Sequence, residues 1–393
     1  MSIPTEIAAL ASEMTGWRRH LHTHPELGYK EFETSDFVAR HLTEWGIPFE
    51  RLTETGIVAT LRAGDGNRAV ALRADMDALP MEDQGDVPWA STVPGVMHGC
   101  GHDGHTATLM GAMKYLSKTR RFSGTVHAIF QPAEEGLAGA KSLIDAGLFD
   151  KFPADMVFGQ HNDPLLPEGM MSVVKGPTMA ASDRFSITVK GKGGHAARPH
   201  HTVDPLIAGA QVALSLQTIL SRRIDPLENG VISVTQFHAG TTGNVIPEVA
   251  ELHGTARSLT PEVQGEFERL IAEVAHNAAA TMGAEVAVDY RRGYPPVINA
   301  DAPTDFGMGA AIAVVGADNV MMKRPPAMGG EDFAFLAQAR PGCFARIGTT
   351  KPGEQPVPLH NPRYDFNDDV LPVGVAWFAE VVENVLAPTS MPN

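Results

Sequence analysis

The sequence predicts an α/β fold built on a mixed, partly parallel sheet, with a ferredoxin-like βαββαβ domain inserted into it. Three observations carry this. Short apolar runs that each end in polar residues, AVALRADMD, TVHAIFQPAEE and DMVFGQHND, alternate with helical patterns. From about residue 183 the pattern changes to strand, helix, two strands, helix, strand. The length of 393 residues exceeds the size at which a single core stops growing, so one large and one smaller domain are expected.

Taken in order, residues 5 to 24 place Ile7, Leu10, Met14, Trp17 and Leu21 at helical spacing, and HTHPELGYKE ends that helix. His20, His22 and His24 near this break are read as structural, since no acid or thiol at ligand spacing accompanies them. The apolar runs above are strands, with helices near residues 103 to 118 and 137 to 146. In sheets of this kind ligands bind beyond the carboxyl ends of the strands. The three polar tails supply Asp75 and Asp77, then Glu134 and Glu135, then His161. The inserted domain reads DRFSITVKG (strand), DPLIAGAQVALSLQTIL (helix), GVISVTQFHAG and EVAELHGTARSL (strands), PEVQGEFERLIAEVAHNAAATM (helix) and AEVAVDYRRG (strand). After YPPVINAD further helical and strand patterns and a last helix near residues 369 to 387 complete the first domain. The expected division is therefore 1–182 with 295–393, and 183–294.

A formal net charge of -15 argues against nucleic acid as a partner, because phosphate binding needs a basic footprint and no Lys/Arg cluster larger than a pair such as Arg222–Arg223 occurs. Hydrophobic residues at 43% and charged residues at 20% describe an ordinary globular enzyme rather than a disordered chain. The start MSIPTEIAALASEM has no basic residues followed by an apolar core, and no run approaches membrane-span length. With only Cys100 and Cys343 there is no disulfide framework, so a cytoplasmic location is expected. Cys343 lies in the apolar run CFARIG and reads as core.

Cys100 keeps different company. The run HGCGHDGH packs a soft thiolate and several imidazoles beside an acid, and Cys100 and His102 alternate in an extended segment so that both can reach one ion. His105 and Asp103 lead from there into the helical pattern ATLMGAMKYL. Collecting such donors at strand ends gives Cys100, His102, Glu135, His161 and, in PLHNPRYDF, His360. Five are too many for one tetrahedral zinc; with a bridging Glu or Cys they suit two divalent metals a few ångströms apart, zinc first, with manganese, cobalt or nickel open. In the adjacent pair Glu134–Glu135 one carboxylate can bind metal while the other faces an attacking water. Asp77 can hydrogen-bond the far nitrogen of a ligand histidine, while Asp75 suits that role or capping of the turn. His195 in GKGGHAARPH and Asn244 in GTTGNVIP suit either plain turns or contacts to a substrate oxygen.

Together these residues resemble the dinuclear-metal aminoacylase and carboxypeptidase family, within it the branch of hippurate hydrolases, N-acyl-amino-acid amidohydrolases and auxin-conjugate hydrolases. The motifs run in order over nearly the whole chain: RRHLHTHPELGYKE, LRADMDALP, MHGCGHDGHTA, FQPAEEG, GQH, GKGGHAARPHHTVDP, GNVIPE, GTARS, GGEDFAF and LHNPRYDF. The resemblance implies a metallopeptidase-like catalytic domain with two divalent metals, and a ferredoxin-like lid that also dimerises. Cys100, His102, Glu135, His161 and His360 then look like the ligands, and Glu134 like the general base. His195 looks like the lid histidine that polarises the scissile carbonyl, often across a dimer, and Asn244 and Arg257 like lid residues near the substrate carboxylate. Many members have His-x-Asp where this chain has Asp75-Met76-Asp77, and a bridging aspartate where Cys100 stands. The implied activity is metal-dependent hydrolysis of an N-acyl amino acid. The rivals are a dipeptidase or exopeptidase, which must recognise a free amine, and a binding protein without turnover.

Overall fold

In the computed structural model, which describes residues 1–388, the apolar runs join one eight-stranded sheet. Its order is Phe49–Arg51, Ile57–Ala63, Gly124–Gln131, Ala69–Asp75, Met156–Pro167, Gly342–Thr350, Met171–Ser172 and Val320–Met321. The four central strands are mutually parallel, and antiparallel pairs flank them. The central strands are apolar along their length because both faces are covered: Val70, Ala71 and Leu72 are buried in succession, as are Ile129 and Phe130. The helices His102–Thr119 and Leu371–Val385 bring Met110, Met113, Trp377 and Phe378 to the same core.

Four elements differ from expectation. The first helix breaks into Thr5–Ala8 and Ala11–Thr23, because Leu10 N–H bonds three residues back to Ile7 O at 2.9 Å, a tighter turn than the α-helix. The helix near 137–146 is two pieces, Glu134–Leu137 and Gly139–Asp145, separated by Ala138 at φ 59°. The helix after Asp204 stops at Leu216 and resumes as Thr218–Arg222. Finally, DMVFGQHND does not end its strand at the polar tail. Pairing with Ala69–Asp75 stops at Gly159, but the strand runs on to Pro167 beside Gly342–Thr350. His161 thus stands within a strand and two residues past the last rung to its other neighbour.

The chain forms two compact units: Met1–Gly176, Ile298–Pro325 and the chain from Asp332 on; and Pro177–Val297 with Pro326–Glu331. The return of 326–331 to the second unit has no counterpart in the strand and helix patterns. The second unit is a four-stranded antiparallel sheet in the order Gly230–Ala239, Val249–Ser258, Ser182–Lys190, Glu285–Tyr294, the ferredoxin-like arrangement. Alternation along Ser182–Lys190 turns Phe185, Ile187 and Val189 to a core shared with Val212, Phe267 and Ile271 of the helices Pro205–Leu216 and Pro261–Ala280. Both helices start at side-chain caps: Asp204 accepts from Leu206 and Ile207 N–H, and Thr260 from Val263 N–H.

Candidate metal centre

Cys100, His102, Glu135, His161 and His360 converge at the carboxyl ends of the central strands of the first unit. Among the sets whose ligand atoms all lie within 4.8 Å of one another are Cys100, His102 and His161; Cys100, Glu135 and His360; and His102, Glu134 and Glu135. Cys100 belongs to two of them, the arrangement expected of a thiolate shared by two ions. Donors about 2.0 to 2.3 Å from a common ion lie within such a spread of one another.

The local chain explains the convergence. Gly101 sits at φ 89°, and a Cβ there would stand 2.7 Å from Asn162 Oδ1, so the Cys100–His102 corner needs glycine. His102 opens the helix His102–Thr119 with Nδ1 2.8 Å from Asp77 O and 3.3 Å from Asp77 Oδ1. His161 Nδ1 lies 2.7 Å from Asn162 O. A carbonyl oxygen only accepts, so in both rings Nδ1 carries a proton and Nε2 is the nitrogen left for a metal. His102 Nε2 is buried without a hydrogen-bond partner, and His161 Nε2 is 3.6 Å from Cys100 Sγ. His360 lies on an exposed loop at φ 62°, held by its N–H to Gly99 O at 2.8 Å, with Nε2 3.3 Å from Glu135 Oε1. These donors fit divalent cations.

Burial pushes the Cys100 thiol up to about 12, although the charge of His102 opposes it. Burial likewise holds His161 well below the ordinary imidazole range, helped by His105, so its lone pair is free at neutral pH. For His102 burial acts in the same direction, but Asp75, Cys100 and Asp77 outweigh it and raise the value well above ordinary. A cation would reverse both the thiol and the His102 preference, because ligation requires the deprotonated forms.

Two carboxylates of LRADMDALP have distinct places. Asp77 Oδ1 accepts Glu134 N–H at 3.0 Å and Oδ2 accepts Glu135 N–H at 2.9 Å, so it fixes the acidic turn as well as the His102 ring. Asp75 caps no turn with its side chain. It is buried, bonded by Arg73 Nη1 at 2.7 Å and His105 Nδ1 at 2.6 Å, and His105 Nε2 reaches Asn162 Oδ1 at 2.6 Å. Glu134 itself is buried, with Oε1 3.3 Å from Asp332 N–H.

His20, His22 and His24 join no donor cluster among the described residues. His22 does have acids beside it, Asp103 at 2.7 Å and Asp83 at 3.5 Å, both remote in sequence. Cys343 is fully buried in the core.

In the second unit, Gly194–His195 pairs with Val245–Ile246, and Ala196 N–H donates to Asn244 O at 3.1 Å, so His195 and Asn244 share one small ladder. His195 Nδ1 accepts Ala197 N–H at 3.1 Å, which leaves Nε2–H exposed as a donor. Arg257 is elsewhere, in a cavity of about 490 Å³ on the outer face of the four-stranded sheet with Arg184, Arg291 and His253. Burial and the like charge of Arg184 lower the Arg257 value. Arg291 is paired with Asp289 at 2.7 Å, whereas no acid pairs with Arg184 among the described residues. Arg184 escaped the sequence reading because outward charges on a half-buried strand are ordinary; only its register, opposite Thr255 and Arg291, brings it to Arg257.

Among the described residues no helix is long and apolar enough to cross a membrane. The chain is 37% identical over 382 residues to a hippurate hydrolase of Campylobacter jejuni, covering 97% of this chain and 98% of that one. It is 39% identical over 381 residues to an N-acetylcysteine deacetylase of Bacillus subtilis, covering 96% and 98%. The YxeP protein of Bacillus subtilis, a dinuclear metal-binding peptidase, superposes with a TM-score of 0.85 at 36% identity, covering 96% of this chain and 99% of that one. Residues 71–384 match peptidase family M20/M25/M40, and with these relatives the chain belongs to that family.

Proposed function

We propose that this chain is a metal-dependent amidohydrolase that cleaves the amide bond of N-acyl amino acids to a carboxylic acid and a free amino acid. The observation that carries the reading is the pair of donor sets sharing Cys100, with the buried Glu134 carboxylate in a third set beside them. Cys100, His102, Glu135, His161 and His360 would hold two divalent ions, zinc first, with manganese, cobalt or nickel as alternatives. Ions held there supply positive charge that acidifies water and polarises a carbonyl oxygen.

The residues of the chain do the rest. Glu134 accepts the proton of the attacking water and returns it to the leaving nitrogen. His195, whose Nε2–H is set as donor by the Ala197 bond, stabilises the developing oxyanion. Asn244, beside His195, and Arg257 contact the substrate from separate places, and its carboxylate falls to Arg257, where the uncompensated charge of Arg184 supports an anionic ligand. A lid and dimerisation role for residues 183–294 rests on the family resemblance. Two buried, unpaired cysteines suit a cytoplasmic enzyme.

The test is reconstitution of metal-free protein with each candidate ion, followed by hydrolysis of a panel of acetyl-, benzoyl- and indole-acetyl-amino acids alongside dipeptides. Metal-dependent release of amino acid from the acylated panel is expected. Turnover confined to substrates with a free amine would replace the proposal with an exopeptidase.

A further inference from the structure

The segment HTHPELGYKE supplies no metal donor, yet it is built against the turn that carries Glu134. Ala78 N–H, next to Asp77, donates to Glu26 O at 2.8 Å, and Leu27 bridges to Ala78. Gly28 packs on the turn so closely that a Cβ would stand 3.1 Å from Ala133 Cα and 2.9 Å from Leu137 Cδ1. The Tyr29 hydroxyl donates to Leu137 O at 3.1 Å. Glu31, fully buried, accepts Ala133 N–H on Oε1 at 2.8 Å and the Thr55 hydroxyl on Oε2 at 2.9 Å.

The turn needs such support. Ala133 at φ 54°, ψ 48° and Ala138 at φ 59°, ψ 48° adopt the left-handed region, and Glu135 is also non-helical at ψ 76°. Each left-handed alanine costs about 1 kcal/mol or more and persists only where its surroundings over-determine it. Three successive N–H groups point at buried carboxylates: Asp77 takes those of Glu134 and Glu135, and Glu31 takes that of Ala133. Keeping a carboxyl at position 31 runs against burial, which with the charge of Asp77 pushes it up to about 7 despite its hydrogen bonds. An apolar side chain would fill the same space without that penalty.

We propose that Glu31 is a positioning residue for the reaction: by accepting the Ala133 N–H it holds the turn in the conformation that presents the Glu134 carboxylate to the metal cluster. The inference rests on Glu134 being the base. The Glu31 carboxylate bonds Ala133 and Thr55 rather than the donors, so its removal acts on how Glu134 is presented.

The experiment compares Glu31→Met, similar in length but unable to accept, with Glu31→Gln, which keeps an acceptor for Ala133 and can donate to Thr55. In the metal-loaded enzyme, Glu31→Met should lower kcat about tenfold or more, since displacements near 1 Å at a reacting group cost up to about 10²-fold. KM and metal content should stay near wild type, and Glu31→Gln should restore kcat to within about threefold. In a Glu134→Gln background Glu31→Met should cost no more than about twofold further, because residues acting as a unit are non-additive. Gly28→Ala, which alters no buried polar group but presses a methyl on Ala133, should also lower kcat, and it carries the test if Glu31→Met does not fold. Wild-type kcat in Glu31→Met or Gly28→Ala, or a full additional loss in the Glu134→Gln background, overturns the inference while leaving the base assignment standing. Wild-type turnover of Glu134→Gln alone overturns the assignment and the inference together.

Discussion

The different tasks proposed for the neighbours Glu134 and Glu135 go with a difference of backbone: Glu135, at φ -69°, ψ 76°, turns out of the helical path that Glu134 follows. Glu134→Gln keeps size and hydrogen bonding but removes proton acceptance, so turnover should fall by about 10² to 10⁴ with metal content unchanged. Glu135→Gln should show the reverse pattern, loss of bound metal first. Metal analysis beside steady-state rates decides, and a Glu134→Gln protein that loses metal but keeps its rate per bound ion would remove the base role. Glu31 makes a separate prediction for stability. Burial raises its folded-state value from the ordinary 4.5 to about 7, so its contribution to stability is whole below about pH 4.5 and is lost as pH rises through 7. The full swing is on the order of 3 kcal/mol. In metal-free protein Glu31→Gln should therefore gain in Tm relative to wild type as pH rises from 5 to about 8; Tm curves that stay parallel would show that Glu31 does not titrate differently on unfolding. The contrast with what the sequence displays is physical. Cys100, His102, Glu135, His161 and His360 could be collected from the sequence because thiolate, imidazole and carboxylate groups at the ends of apolar runs are conspicuous. Asp75 and Glu31 were not distinguished, since a carboxylate looks alike in sequence whether it caps a turn or is buried against Arg73 or Ala133 N–H.

The helix His102–Thr119 carries a proposed metal ligand on its first residue, so what fixes its N-terminus also fixes that side chain. Asp103, fully buried, forms an ion pair with Arg18 Nε at 2.9 Å and meets His22 Nδ1 at 2.7 Å; Arg18 also bonds Asp365. Against burial, Arg18 and His22 hold the Asp103 carboxyl far below the usual range, and Asp103 and Asp83 raise His22 to about 9 against burial and the charge of Arg18. Asp103→Asn leaves Arg18 and His22 short of a buried counter-charge, so it should destabilise the protein by about 3 kcal/mol. It should also weaken metal retention, because His102 is the adjacent residue. Urea midpoints with metal titrations check both effects; loss of stability with unaltered affinity would show that the helix end and the ligand are independent. The helix itself was visible from its period, as were both helices of the second unit. The acidic turn before Gly139 was not, because beside Gly136 two of its left-handed residues, Ala133 and Ala138, are alanines and carry no glycine or asparagine signal. It is tertiary contact that imposes the turn: a Cβ at Gly139 would stand 1.6 Å from Pro132 O, so the chain there folds back on itself.

At the scale of the molecule, the two units divide the proposed chemistry. Cys100, His102, Glu135, His161 and His360, proposed as the metal donors, lie in the first, whereas His195, Asn244 and Arg257 lie in the second. The βαββαβ order was legible because its strands alternate cleanly and its helices are long and capped; the return of 326–331 was not, because six residues carry no period. The division predicts that His195→Ala keeps its fold and its full complement of metal, since no donor is disturbed. Turnover should nonetheless fall by about 10² or more, as loss of an oxyanion donor does in other enzymes. If two copies of the chain associate and each lends its histidine to the other, mixing His195→Ala with Glu134→Gln subunits creates pairs in which one site has both groups intact. Random exchange at equal amounts makes half of the pairs mixed, each with one competent site of two, so recovery should approach about a quarter of wild-type activity. The same mixture before subunit exchange should remain near the level of the separate variants. Exchange demonstrated by mass with no recovery would place His195 in the site of its own chain, and a His195→Ala variant of normal rate would leave the oxyanion to the metals alone.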